Sequence, residues 1–179
     1  WTMFCYIAAI LSKDTAVIMP AMLALIDFFS LPQNLSIKDR MLKVGKYIWP
    51  FFVLAGLYIV HRATTLNFNN TFNIYGEANL FTENYGVRLL VFFRAMATYF
   101  QLLFWPNNLH MERGFDIPHS LFAPDVLFGG LLSLAMIVTA VWSLKKHPIV
   151  SFGIFWSFIR LFPNSNLVFP NAGLIYEHW

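Results

Sequence analysis

The chain predicts an all-α fold of the polytopic membrane type, with about five transmembrane helices and one interfacial, juxtamembrane helix. Apolar residues make up 58% of it and charged residues 12%, the latter about half the soluble average. Twenty Phe and six Trp among 179 residues suit lipid-facing surfaces and aromatic belts better than a soluble core. The apolar residues fall into runs separated by polar turns, and the mean hydropathy is +0.59. Together these argue against a soluble helical bundle with one large core.

Residues 1–11 form the first apolar run, ended by the polar turn Ser12-Lys13-Asp14. Residues 15–29 return as a second span, interrupted by Pro20 and Asp27, residue types that face protein rather than lipid inside a span. Such a run rises only ~22 Å, so it is short or tilted. Residues 30–46 read as a polar loop carrying Lys38, Asp39, Arg40, Lys43 and Lys46. Residues 47–60 are a third span, with Trp49 at its start and Pro50 in its first turn.

A long, mostly polar insert follows, 61–123. Its first part, 61–84, is rich in Asn, Thr and aromatics and reads as irregular loop. Residues 87–105 are apolar and helical in length, and Arg94, Thr98 and Gln101 share one helical stripe. That stripe favours a helix lying in the interface over one that crosses. Residues 125–144 form a span with Gly129-Gly130 near its start, Lys145-Lys146-His147 a tight turn, and residues 148–162 the last span. All of 1–179 reads as part of one transmembrane domain. The chain opens on Trp1 within an apolar run and stops after Glu177-His178 with no closing element, so an internal fragment of a larger protein is expected.

Charge predicts the topology. Loops 30–46 and 145–147 hold six Lys/Arg against one acid, while the turn 12–14 and the insert hold five of each sign. The positive-inside rule then puts the first pair in the cytoplasm and the turn, the insert and 163–179 on the periplasmic or luminal face. A bacterial inner membrane or the endoplasmic reticulum would be the host. The alternation holds only if 87–105 does not cross.

Several side chains on that outer face could carry chemistry. Lys13-Asp14 is either a solvated turn with a local ion pair or a compact cation at headgroup depth, suited to a lipid phosphate. Arg62, Arg88, Arg94 and Arg113 have no topological role there. They either pair with Glu77, Glu83, Glu112 and Asp116 or bind phosphate or carboxylate. Arg94 stands out because an ionisable group within an apolar segment is a functional candidate. Glu112, Arg113, Asp116 and His119 cluster within eight residues. Acids of this kind orient sugar hydroxyls, act as general base or bind a divalent metal ion, and pairing within the loop is the bland alternative. Glu177 and His178 are interfacial ligands or a polar span boundary.

Other chemistries find no support. The single Cys5 cannot form an intrachain disulfide, and no Cys/His spacing resembles a zinc site. No Gly-rich phosphate loop, nucleophile elbow or HExxH occurs. A nucleotide-dependent soluble enzyme and a nucleic-acid partner are therefore not expected. Asn69-Asn70-Thr71 is a glycosylation sequon.

Taken together, three segments resemble a known family. Leu11 to Thr15, continuing to Pro20, resembles the "TKEP"-like turn of lipid-linked-sugar glycosyltransferases of the GT-C fold. Tyr99 to Pro106 followed by Asp116-Ile117-Pro118 is similar to the juxtamembrane region of the transmembrane O-mannosyltransferases with tetratricopeptide repeats. Phe162-Pro163-Asn164-Ser165-Asn166-Leu167 and Tyr176-Glu177-His178-Trp179 are similar to the "P-x-SNL…E-[RH]-x-x-Y-x-P" signature of those proteins and their bacterial relatives, cut before its final Tyr and Pro. Only this last motif is specific. The short 15–29 span and the Asn-rich stretch at 67–84 depart from the family pattern.

The resemblance implies an inverting transferase that uses a polyprenyl- or dolichyl-phosphate sugar, typically mannose, with an acceptor protein Ser/Thr hydroxyl. The family's catalytic acid would lie N-terminal to this chain, so no catalytic residue is assigned and the piece alone is expected to be inactive. Lys13, Arg62 and Arg94 would hold the lipid phosphate. Asp14, Asp116, Asn166, Glu177 and His178 would shape the sugar and acceptor pocket. No cofactor is implied beyond the divalent metal ion that the acids suit. The rival readings are an O-antigen ligase or polymerase, a transporter of lipid-linked glycans, and a structural membrane protein.

Overall fold

The computed structural model describes residues 1–65, 84–107, 109, 112–113, 116–165, 167 and 175–176. It divides into two compact units, one of Trp1–Phe68 with Thr139–Leu161 and the other of Asn69–Val138 with Phe162–Trp179. Among the described residues the structure is helical apart from one two-residue antiparallel bridge. Three helices are long and apolar enough to cross a membrane: Ile37–His61, Tyr85–Phe104 and Pro124–Lys146. Thr2–Ser12, Thr15–Ser30 and Pro148–Leu161 are shorter apolar helices.

In the first unit, α1 (Thr2–Ser12) ends where Lys13 turns extended at φ −150°, ψ 125°. A 3-10 turn, Asp14–Ile18, follows, and α2 (Met19–Ser30) starts only after it. The apolar helix expected over 15–29 is present as Thr15–Ser30, and Pro20 marks where its winding changes from 3-10 to α. Proline has no N–H to give to a carbonyl four residues back, but it is tolerated in a first turn, where that N–H would be open anyway. Tyr6, Ile10 and Ala55 form a core here, with Ala16, Val17, Phe51, Leu54 and Tyr58 packed on it. The Tyr6 and Phe51 rings lie 5.6 Å apart.

Helix α3 (Ile37–Thr65) corrects the sequence reading at both ends. The stretch expected to be polar loop up to 46 is already helical from Ile37, because Ser36 caps it. Its Oγ accepts from the Asp39 N–H at 3.1 Å and donates to the Asp39 carboxylate at 2.6 Å. The helix also runs on to Thr65, into what was expected to be irregular loop. Residues 66–83 lie outside the described residues. Pro50 sits inside α3, where it leaves the Lys46 carbonyl without its usual donor.

α2 and α3 pair as an antiparallel hairpin around Phe28, Val44 and Ile48, with Leu23, Ala24, Phe29, Leu31, Ile37 and Leu144 against them. Arg40 is only 2% exposed in this core. It donates to the Phe28 main-chain carbonyl through Nη2 and to Gln33 Oε1 at 3.2 Å, with its guanidinium 4.2 Å over the Phe28 ring. Helix α6 (Pro148–Leu161) joins through Phe152, edge-on to Phe29 at 5.7 Å. Helix α5 (Pro124–Lys146) contributes its last turns to this unit. Lys145 and Lys146 are part of that helix rather than of a turn, and only His147 separates it from α6. Basic side chains complement a helix C-terminus, so the helix has no reason to stop before them.

In the second unit, α4 (Tyr85–Phe104) begins at Asn84, whose side chain accepts from Gly86 N at 2.9 Å, and ends at Trp105, before Pro106. It buries Val87, Leu90, Val91, Ala95 and Met96. Ile117 packs on Val87 and Val91. α5 approaches α4 at Gly129-Gly130. A Cβ at Gly129 would collide with the Phe93 carbonyl oxygen and lie 2.6 Å from its carbon, while one at Gly130 would meet the Phe93 ring at 3.7 Å. Glycine is required at 129 by the closeness of two backbones, while the contact at 130 is an ordinary one with a side chain. Strands β1 (Glu112–Arg113) and β2 (Ile175–Tyr176) pair antiparallel, Glu112 opposite Tyr176 and Arg113 opposite Ile175.

Gly129→Val should therefore destabilise the protein by about 1–3 kcal/mol through overpacking. Gly153→Ala, where a built Cβ meets nothing within 4 Å, should be neutral or stabilising by up to ~1 kcal/mol. Thermal unfolding in detergent checks both, and equal midpoints for the two variants would refute the close approach at Gly129.

Candidate functional site

Two of the sequence-predicted residues are brought together in the second unit. Arg94, near the middle of α4, points to the start of α5. Its Nε lies 2.7 Å from Asp125 Oδ2, and its Nη1 donates to the Asp116 main-chain carbonyl at 2.5 Å. One guanidinium thus holds the residue before Ile117-Pro118 and the first turn of α5 at once. Arginine suits this task because its planar fork presents several N–H groups in fixed directions, which a lysine point charge cannot do. Both side chains are partly open, 28% exposed for Arg94 and 40% for Asp125. In water such a pair is worth about 0–1 kcal/mol. Lipid on the open side would strengthen it by removing competing water.

Asp116 is therefore engaged through its backbone, and its carboxylate is exposed. Pro118 behind it is buried, and Val126, next to Asp125 in the first turn of α5, is 1% exposed. The Asp125 carboxylate also accepts from the Val126 N–H at 3.0 Å. Asp125 is the residue the sequence reading missed. It reads there as the first residue of a span, and its one signal is position: an acid in a first helical turn is well placed to anchor a cation.

The bridge between β1 and β2 supplies the second junction. It joins the backbone of the acidic cluster, at Glu112, to that of the terminal motif, at Tyr176. Glu177 and His178 follow Tyr176 directly in sequence, and they and Asn166 lie outside the described residues. His119 is exposed.

The other predicted positions lie in the first unit. Lys13 is exposed and occupies the extended break between α1 and the 3-10 turn. Its N–H donates to Ala9 O and its carbonyl accepts from Ala16 N, both at 2.9 Å. The main chain is thus closed on both sides while the ammonium faces outward. Asp14 opens the 3-10 turn, and Arg62 lies in the last turns of α3. The side chains of both are outside the described residues. Among the described residues no three His, Cys, Asp or Glu side chains converge to hold a metal ion.

Compared with models of protein families, with curated proteins and with solved structures, the chain matches none.

Arg94→Ala leaves the Asp116 carbonyl and the Asp125 carboxylate without this donor and should cost about 1–3 kcal/mol. In a cycle with Asp125→Ala, the double variant should lose less than the sum of the singles. Unfolding in denaturant measures this, and strict additivity would show that the pair does not couple.

Proposed function

We propose that this chain belongs to the membrane part of a GT-C-type glycosyltransferase, which transfers a sugar, mannose in this reading, from a polyprenyl- or dolichyl-phosphate to a protein Ser/Thr hydroxyl. The observation that carries the proposal is the β1–β2 bridge, because it sets the acidic cluster of the insert beside the segment that leads into Glu177-His178. Tyr176 belongs to the terminal motif of the resemblance, and Glu112-Arg113 lies between the two parts, Tyr99 to Pro106 and Asp116-Ile117-Pro118, of its second segment. A second piece of support is Arg94, which ties Asp116 to the head of α5.

The same ion pair bears on depth. Arg94 lies about 14 Å from either end of α4 at 1.5 Å per residue, yet it meets α5 at its first turn. If both helices crossed the bilayer side by side, that first turn would sit at mid-depth with Asp125 in hydrocarbon, an expensive place for a carboxylate. If α5 crosses alone, Asp125 and Arg94 sit at its membrane boundary and α4 lies along the interface. The second arrangement leaves the loops at 12–14 and 61–123 on one side, periplasmic or luminal, and agrees with the distribution of Lys and Arg.

In the proposed reaction the acceptor oxygen forms a bond to the anomeric carbon while the bond from that carbon to the lipid phosphate oxygen breaks, with inversion. The hydroxyl proton passes to a carboxylate not assigned here, and the phosphate leaves on its lipid. Lys13 and Arg62 would neutralise that phosphate, a task for which cations at headgroup depth are suited. Arg94, already engaged by Asp125, would hold its own segment in place. Asp14, Asp116, Asn166, Glu177 and His178 would bind sugar and acceptor hydroxyls.

The test uses membranes containing the natural full-length gene product, a radiolabelled polyprenyl-phosphate mannose and a Ser/Thr peptide. Wild type should transfer label, and Lys13→Ala and Glu177→Ala should each lower transfer by 10-fold or more, about 1.4 kcal/mol in the barrier, at unchanged protein level. Absence of transfer from every lipid-phosphate sugar tried would remove the mechanism. Full activity in both variants would remove those two residues from the site.

A further inference from the structure

The first unit carries a feature unrelated to the proposed transfer. Lys38, Lys43 and Lys46 are exposed on α3. At 100° per residue Lys38 and Lys46 turn away from the stripe of Arg40, Val44 and Ile48 that is buried against α2, and Lys43 lies on its flank. Leu144, in the last turn of α5, packs on the same Phe28, Val44 and Ile48 core. Lys145 and Lys146, also exposed, therefore stand beside the first turns of α3. Five lysines from two segments distant in sequence are thus exposed at one end of this unit.

Three details show that this is more than a solvated rim. Among the described residues none of the five lysines forms a salt bridge. Of the two acids at this end, Asp39 is occupied with Ser36, and Asp27 stands alone, exposed, in the last turn of α2. On each helix the lysines adjoin large exposed aromatics: Tyr47 and Trp49 beside Lys46, and Trp142 one turn before Lys146. The Lys146 ammonium lies 5.0 Å from the Trp142 ring. Aromatics of this amphipathic kind mark headgroup level, and on both helices they place the lysines just outside it.

We propose that this end of the unit is a binding surface for anionic phospholipid headgroups, with the lysines holding phosphodiester and glycerol or serine groups of the adjoining leaflet. The occupant follows from charge complementarity together with level: the lysines lie on the polar side of the exposed Tyr47, Trp49 and Trp142, where headgroup phosphates are found, and exposed apolar side chains farther along the helices (Phe52, Val53, Val141) suit acyl chains. Attraction of this kind is screened by salt, with a range of about 10 Å at 0.1 M ionic strength.

Electron spin resonance of the full-length protein in phosphatidylcholine bilayers tests the proposal, with spin-labelled phosphatidylglycerol or phosphatidylcholine as the reporting lipid. The expected result is a several-fold preference for phosphatidylglycerol in the motionally restricted fraction at low salt, falling as NaCl is raised. K38Q/K43Q/K46Q/K145Q/K146Q should abolish the preference, and the matching five Lys→Arg changes should keep it. Equal restriction of the two lipids by wild type would overturn the proposal even if the glutamine variant failed to fold. A preference that survives in a folded glutamine variant would overturn it as well. Neither result bears on sugar transfer, so the two proposals stand or fall separately.

Discussion

Main-chain polar groups that leave a helix in apolar surroundings must find a partner within the protein, since each one left open there costs several kcal/mol. This chain meets that demand with the same device in each unit. Arg40 donates to the carbonyl of Phe28, among the last carbonyls of α2, which have no partner in their own helix. Arg94 donates to the carbonyl of Asp116, in the irregular segment ahead of α5. In each case a long side chain from inside one helix closes the backbone where another helix ends or begins. The hairpin of α2 with α3 and the seat of α5 on α4 both rest on such a contact.

The two arginines differ in how their charge is balanced. Arg94 meets a carboxylate, so its charge is neutralised at the same point where its hydrogen bonds are used. Among the described residues no carboxylate pairs with Arg40. Its guanidinium lies over the Phe28 ring at 4.2 Å and within 5.9 Å of Phe29, and its Nε remains without a partner. Ring faces and carbonyl dipoles are what compensate a cation that is almost wholly shielded. Burial of this kind is affordable only where the hydrogen bonds made cannot be made by anything smaller, and a methyl or a lysine ammonium would leave Phe28 or Gln33 open.

Apolar runs and their interruptions were readable in the chain because hydropathy and proline act locally. The break at Lys13, the ends of α1 and α6 and the helix around Arg94 all follow from residues within a few positions of each feature. The start of α3 was misread for a physical reason. Lys38, Lys43 and Lys46 lower the hydropathy of its first turns, but lysines on the open side of a helix do not end it, and the Ser36–Asp39 cap starts it. Arg40 and Asp125 were missed because their partners lie far along the chain, at Phe28 and Arg94. Their residue types announce charge, but only the folded backbone says where that charge is used. The expectation that Asp116 and the terminal motif share a site rested on resemblance, and the pairing of β1 with β2 joins the terminal motif only to Glu112-Arg113, ahead of Asp116. Arg62, Asn166, Glu177 and His178 add nothing to that comparison, as their side chains lie outside the described residues.

The pairing of Glu112–Arg113 with Ile175–Tyr176 also imposes an order of assembly. The ribosome makes Ile175 and Tyr176 only after α5 and α6 have been produced, so the bridge cannot close until both helices have left the exit tunnel. The acidic cluster is synthesised early and waits for its partner strand. A chain stalled or truncated before residue 175 would hold α4, α5 and the Arg94–Asp125 pair and still lack this junction, which makes closure of the bridge a built-in report that translation has passed α6.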